Sequence, residues 1–243
     1  MNKLTRLELP SLAVFDLDGT LYDYEKSNLK ATKALISYLS LHSNVGEDLI
    51  NQALFKARAV VKNRLGATAS SHSRLLYISE IFRILNLEPN TEHFVNLEDK
   101  FWRIFFNEME LFVGVKEFLT GLKNYDIPLA LVTDLTSRIQ YQKITELKLN
   151  GIFNYIVTSE ESGNDKITGS PFEMLKNVSM LESRRTWFFG DSEFDRPARW
   201  HSGSVFFRKT TNKKDEVVIS ETKETIDFSH YPSLQNSFEL VSR

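Results

Sequence analysis

The sequence predicts an α/β fold: a doubly wound parallel sheet carrying an inserted all-helical unit. Two observations predict it. Short, wholly apolar runs recur along the chain, and helical stripes lie between the later ones. Between the first two runs sits a long stretch whose periodicity is helical throughout.

The apolar runs are Leu12–Phe15, Leu129–Val132, Tyr155–Val157, Trp187–Phe189 and Val205–Phe207. Runs of this length without polar alternation fit strands buried on both faces of a parallel sheet. Val115, Phe118, Leu119 and Leu122 form one helical stripe, and Phe172, Leu175 and Val178 another. Strand–helix alternation is the pattern of a doubly wound core.

The insert runs from about Tyr22 to Met109. Ala31, Leu35 and Leu39 recur at helical spacing, as do Leu49, Ile50, Ala53, Leu54, Ala57 and Val61. Leu75, Ile78, Phe82 and Leu85 follow, then Phe94, Leu97, Phe101 and Ile104. Gly46, Gly66 and Glu88-Pro89-Asn90 separate the helices. The expected organisation is a core of residues 1–21 and 110–243 with a helical domain of residues 22–109. The polar run Thr210–Asp215 reads as a surface loop, followed by a short strand near Thr225–Phe228 and a helix after Pro232.

Bulk composition narrows the function. The 243 residues, 42% of them hydrophobic, suffice for one core domain with a smaller second unit. A net charge of −2 gives no basic surface for a nucleic acid. With no cysteine, disulfides and thiolate metal sites are excluded. The apolar run behind Lys3 and Arg6 is broken by Pro10 and ended by Asp16, too short for a signal peptide. No stretch approaches the ~20 apolar residues that cross a bilayer. The expectation is a soluble, cytoplasmic protein with no membrane or nucleic-acid partner.

The chemistry gathers where the strands end. Val14-Phe15-Asp16-Leu17-Asp18-Gly19-Thr20 places two aspartates at i and i+2 beyond a buried strand, so their side chains share one side. Open α/β sheets bind ligands in the crevice at that end. The plain structural reading is a solvated Asp-Gly turn. The second strand ends in Thr133-Asp134, a hydroxyl for a phosphate oxygen or an ordinary helix N-cap. The third leads to Lys166, a point charge that reaches back over the crevice or a plain surface lysine. The fourth ends in Gly190-Asp191-Ser192-Glu193-Phe194-Asp195, a carboxylate source for a hard cation or a polar turn. Each is weak alone. Four successive strands delivering complementary groups at one edge are not.

These residues resemble the four motifs of the haloacid dehalogenase superfamily. Asp16-Leu17-Asp18-Gly19-Thr20 is similar to its DxDGT motif, Thr133 to the second, Lys166 to the third, and Gly190-Asp191 through Asp195 to the GDxxxD form of the fourth. The helical insert resembles the C1 class of cap. The resemblance implies a Mg²⁺-dependent phosphatase acting on a small phosphorylated metabolite. Asp16 would be the nucleophile, forming an aspartyl phosphate. Asp18 would be the acid/base. Asp18, Gly19, Thr133, Asp134 and Lys166 would surround the phosphoryl group, with Lys166 also orienting Asp16. Asp16, the Asp18 backbone carbonyl and Asp191 would hold Mg²⁺. Asp195 and Ser192 would be weaker metal contributors or outer supports.

Two departures stand out. Asp134 occupies the position where the family usually has Asn, and Pro171 is displaced from its usual place directly after the lysine. In such families the cap chooses the leaving group, and its polar candidates here are Tyr22, Arg58, Lys62, Arg64, His72 and Arg74. The five histidines show no metal-ligand spacing, His42 and His93 read as surface or half-buried cap residues, and Phe101-Trp102 and Phe105-Phe106 read as cap packing. Asp18 argues against a dehalogenase. A phosphomutase on a sugar phosphate would carry the same motifs, and a non-catalytic member of the fold would have lost an aspartate. Sequence leaves the substrate and the oligomeric state open.

Overall fold

A computed structural model describes residues 5–180, 184–211, 217–219, 224–236 and 238–241. Strand β1 (Thr5–Glu8) and strand β9 (Phe238–Val241) pair in parallel as a two-stranded sheet of their own. The sequence reading saw neither strand. The main sheet has seven strands in the order β4-β3-β2-β5-β6-β8-β7. They are β2 (Leu12–Phe15), β3 (Leu129–Thr133), β4 (Tyr155–Thr158), β5 (Thr186–Gly190), β6 (Val205–Lys209), β7 (Val218–Ile219) and β8 (Thr225–Phe228). Neighbours are parallel except the β7–β8 pair. The chain leaves β2 for β3 on one side and later returns to β5 on the other. That reversal opens a crevice beyond the carboxyl end of β2.

The expected strands are present, most of them a residue or two longer than their apolar runs. Every residue of β2, β3 and β5 is buried, as a sheet covered on both faces requires. On one face Phe15, Phe189 and Phe207 stack across three neighbouring strands, with centroids 4.4 and 4.6 Å apart. Helix α5 (Val115–Asn124) sets Phe118 edge-on against Phe15 and Phe189. Helix α9 (Tyr231–Asn236) adds the buried ring of Tyr231. The other face packs Val14, Val132, Phe188 and Phe206 on Phe172 and Leu175 of helix α8 (Ser170–Ser179). Val178, expected in that stripe, is 54% exposed, because the α8 stripe is narrower than its apolar residues suggest. Helix α6 (Ser137–Glu146) follows β3, and the one-turn helix α7 (Ser159–Ser162) follows β4. Most of the run Thr210–Asp215 lies outside the described residues.

Four helices fill the insertion: α1 (Tyr24–Ser43), α2 (Glu47–Leu65), α3 (Arg74–Ile84) and α4 (Thr91–Asn107). Side chains of Asp23, Ser73 and Asn90 accept backbone N–H bonds at the starts of α1, α3 and α4 and fix where each begins. Ala31, Leu39, Ile50, Ala57, Ile78, Leu97 and Phe105 form the buried interior. Leu49 is exposed, because it sits in the first turn of α2 beside the buried Ile50.

The stacked phenylalanines tie together the strands that carry the site. Phe189→Ala is expected to lower unfolding stability by about 3–5 kcal/mol, read from denaturant midpoints at unchanged slope.

Candidate active site

Backbone geometry brings the strand ends together. The Asp16 N–H donates to the Phe189 carbonyl at 2.8 Å, extending the β2–β5 ladder one step past the strand. Asp16 and Asp191 therefore leave adjacent strands side by side. Gly19 sits at φ 85°, a conformation that side chains rarely adopt, and a Cβ there would collide with an Asp191 carboxylate oxygen. A Cβ on Gly190 would meet the Asp195 side chain. Both glycines thus vacate space that carboxylates occupy. One oxygen each from Asp16, Asp191 and Asp195 lies within 4.8 Å of the others, Asp16 and Asp195 buried and Asp191 exposed.

Lys166 binds this cluster into a unit. Its ammonium donates to Asp16 Oδ1 and Asp195 Oδ1, both at 2.5 Å. Thr20 Oγ1 donates to the other Asp16 oxygen at 3.0 Å, and the Ser192 N–H donates to Asp195 Oδ2 at 2.8 Å. Ser192 caps the short turn Glu193–Asp195 with its hydroxyl, so its contribution here is to the backbone. Asp134 does not face the same point. Its Oδ1 accepts from the Lys166 N–H at 2.8 Å and from Ser159 Oγ at 2.7 Å. Its carboxylate is thus a support for the lysine loop. Asn offers one carbonyl oxygen for those same two donors; Asp supplies in addition a charge near Lys166. Thr133 is fully buried, and its hydroxyl accepts from Gln140 Nε2 at 2.5 Å.

The electrostatics follow from three carboxylates sharing one ammonium. Burial alone would lower the Lys166 ammonium, but Asp16, Asp195 and Asp134 outweigh it and hold the lysine charged. Burial pushes the Asp16 carboxyl well above the usual range; Lys166 opposes the shift, and the neighbouring aspartates add to it. Asp191 is pushed up to about 6, by burial first and then by Asp195. The cluster carries more negative charge than Lys166 neutralises. A set of hard oxygen donors with surplus charge fits a divalent cation such as Mg²⁺.

Asp18 faces elsewhere. Its carboxylate accepts from Lys143 Nζ at 2.8 and 2.6 Å, from the Tyr22 hydroxyl at 2.6 Å and from Gln140 Nε2 at 3.5 Å. Burial would raise the Asp18 carboxyl, yet Lys143 and the donated hydrogen bonds hold it below the ordinary carboxylate range. Lys143 is fully buried on α6, its ammonium 5.3–5.8 Å from the rings of Tyr24, Trp102 and Phe105. Sequence reasoning missed Lys143 and Gln140. The available signal was that they share the buried face of α6 with Ile144, two polar residues on the apolar side of a helix.

Of the polar candidates in the insertion, three turn inward. Tyr22 reaches Asp18. His72 Nε2 meets Asp165 Oδ2 at 2.9 Å, one residue before Lys166. Arg74 is buried among Tyr77, Phe101 and Trp102. Arg58, Lys62 and Arg64 are exposed. Leu135, just after Asp134, is buried at φ 103°. Such backbone costs about 1–3 kcal/mol and clusters at functional sites.

Residues 13–203 match the family model described as haloacid dehalogenase-like hydrolase. The chain belongs to this family. It is 31% identical to the ribulose-1,5-bisphosphate 5-phosphatase of Halopiger xanaduensis over 180 residues, 72% of this chain and 73% of that one. It is 24% identical to the phosphoglycolate phosphatase of Pseudomonas syringae pv. tomato over 199 residues, 81% of this chain and 68% of that one. The structure of YfnB from Bacillus subtilis superposes with a TM-score of 0.65 at 18% identity, covering 97% of this chain and all of that one, which shows the shared fold. As a haloacid dehalogenase-like hydrolase with phosphatase relatives, the protein is an enzyme that hydrolyses phosphate esters. No helix among the described residues is long and apolar enough to cross a membrane.

Removing Lys143 leaves the Asp18 carboxylate, only a quarter exposed, without its cation. Lys143→Met is expected to cost about 2–3 kcal/mol in chemical denaturation, below the usual buried-pair figure because water reaches Asp18.

Proposed function

We propose that the protein hydrolyses a small phosphate monoester in a Mg²⁺-dependent reaction through an aspartyl phosphate on Asp16. The observation that carries this reading is the meeting of buried Asp16, Lys166 and Asp195 with exposed Asp191 at one crevice.

Asp16, Asp191 and the Asp18 carbonyl would hold Mg²⁺, with Asp195 next to them and tied to Lys166. When bound, the cation supplies charge neutralisation for the transferring phosphoryl group. The other steps belong to the chain. Lys166 holds Asp16 in one orientation and would offer positive charge to the phosphoryl oxygens, with Thr133 and the Gly19 turn as further phosphate contacts on this reading. An Asp16 oxygen attacks phosphorus, the bond to the leaving oxygen breaks, and that oxygen takes a proton from Asp18. Water then attacks phosphorus, gives its proton back to Asp18, and frees Asp16.

The surroundings of Asp18 are those of a base: Lys143, Tyr22 and Gln140 all donate to it. The acid step requires Asp18 to take up a proton and leave that embrace, a cost that the helical insertion helps to set. We read residues 22–109 as a cap that closes over the crevice and excludes water. A cytoplasmic setting and a small phosphorylated metabolite belong to the same reading. The named substrates of the two relatives, ribulose-1,5-bisphosphate and phosphoglycolate, are the first compounds to try.

Purified protein is expected to release phosphate from an aryl phosphate with Mg²⁺, to lose activity with a chelator, and to regain it on readdition. Asp16→Asn should lower turnover by roughly 10³-fold or more; turnover near wild type would remove Asp16 as nucleophile. Protons compete with the cation at Asp191, whose carboxyl titrates at about 6. Mg²⁺ affinity measured by calorimetry should therefore be full well above pH 6 and weaken as pH falls through it. An affinity flat from pH 5 to 8 would contradict that assignment.

A further inference from the structure

Arg74 is a buried cation that no carboxylate touches among the described residues, Asp18 acting on it only from a distance. It is 8% exposed. The partners that hold it are neutral: the His72 carbonyl at 2.8 Å, the Tyr24 hydroxyl at 2.7 Å and the Asn28 amide oxygen at 3.4 Å. The rings of Phe101 and Trp102 lie 5.3 and 5.1 Å from its guanidinium carbon. No carboxylate among the described residues pairs with it, although the insertion's exposed Arg64 and Arg83 both find Glu80. Taking a guanidinium out of water with only neutral acceptors is expensive. Such an arrangement is retained where an anion arrives from outside.

The place where that anion would arrive is visible. Arg74 lines a cavity of about 660 Å³ between the insertion and the core. His72 and Trp102 form its insertion side, and Leu135 and Thr136, directly after Thr133-Asp134, its core side. That volume suits a small metabolite. Glu98, Asp99 and Glu146 share the wall with Arg103 and Arg138, and the Glu98 Oε1 is taken by the Leu75 N–H and the Trp102 indole. Arg74 also connects to the reacting end of the crevice. It shares Tyr24 and Trp102 with Lys143, and Lys143 holds Asp18, the group assigned to the leaving oxygen. Arg74 therefore stands on the leaving-group side of the phosphoryl site.

We propose that Arg74 is a specificity-determining residue that binds a second anionic group on the substrate, so that the enzyme prefers phosphate monoesters whose leaving group carries a carboxylate or another phosphate. The inference rests on the phosphatase reading above and specifies its substrate class. A guanidinium meets either oxyanion with paired N–H donors, and such charge-assisted bonds are the stronger ones. A leaving group with only hydroxyls would leave Arg74 unpaired.

The test uses three alkyl phosphates of equal length ending in a carboxylate, a second phosphate or a hydroxyl. Wild type is expected to favour a charged member over the hydroxyl one by about 10- to 100-fold in kcat/KM. Which charged member leads identifies the anion. Arg74→Gln should shrink that ratio towards one, mainly through KM, and Arg74→Lys should restore part of it. No preference in wild type, or equal losses on all three in Arg74→Gln, would overturn the proposal and leave Arg74 a packing residue. Thermal-midpoint shifts of the Asp16→Asn variant with the same compounds read binding without turnover. A charged-member preference there, with no turnover in wild type, would sink the phosphatase reading and keep the Arg74 site; no preference there would sink the site itself.

Discussion

The Lys166 ammonium is the interaction on which the site depends. Among the described residues it is the one positive charge that touches both Asp16 and Asp195, and it reaches them from a loop 150 positions after Asp16. Without it, two buried carboxylates would face each other unpaired in a medium where charges interact strongly. With it, the cluster keeps surplus negative charge beside the exposed Asp191. The rest of the core serves this meeting. The Phe15–Phe189–Phe207 stack locks the strands that end at the site, Asp134 fixes the backbone of the lysine, and Gly19 and Gly190 leave room for the carboxylates to approach.

A second electrostatic centre lies where the insertion meets the core. Lys143 from the core and Arg74 from the insertion share the rings of Tyr24 and Trp102. One is paired with Asp18 and the other with neutral groups only. The His72–Asp165 contact, and the Asp165 N–H bond to the Ala67 carbonyl, tie the insertion to the residue preceding Lys166. The insertion thus touches both the lysine loop and, through Tyr22 at its edge, Asp18. On the proposed function this would divide the labour: the core would bind what all substrates share, and the seam between the two units would read what differs.

Much of the fold was legible because buried parallel strands leave an unambiguous mark. Leu12–Phe15 and Trp187–Phe189 are apolar throughout, and both are central strands. β1 and β9 were not legible: Thr5–Glu8 mixes polar and apolar residues, and its partner lies at the far end of the chain. At the site, Asp16 and Asp191 directly follow strand ends, where topology fixes position, while Lys166 lies past α7 and Asp195 at the end of the turn Glu193–Asp195. The contacts of the Asp134 carboxylate with Ser159 and the Lys166 N–H were not legible, since strand register does not determine where a side chain turns. Lys143 escaped because a lysine on a helix is nearly always solvated. The one hint against that was its place on the Ile144 face of α6, and the pairing with Asp18 accounts for its burial.

The central claim is that Asp16 bonds covalently to the phosphoryl group in the pocket made by Lys166 and the aspartates. Rapid acid quench of Mg²⁺-loaded enzyme during turnover, followed by peptide mapping by mass spectrometry, tests it most directly. A single phosphoryl group on the peptide containing Asp16, appearing and decaying at catalytically competent rates, is the expected result. Steady turnover with no phosphorylated peptide at any quench time, or with the label on another residue, would contradict the account.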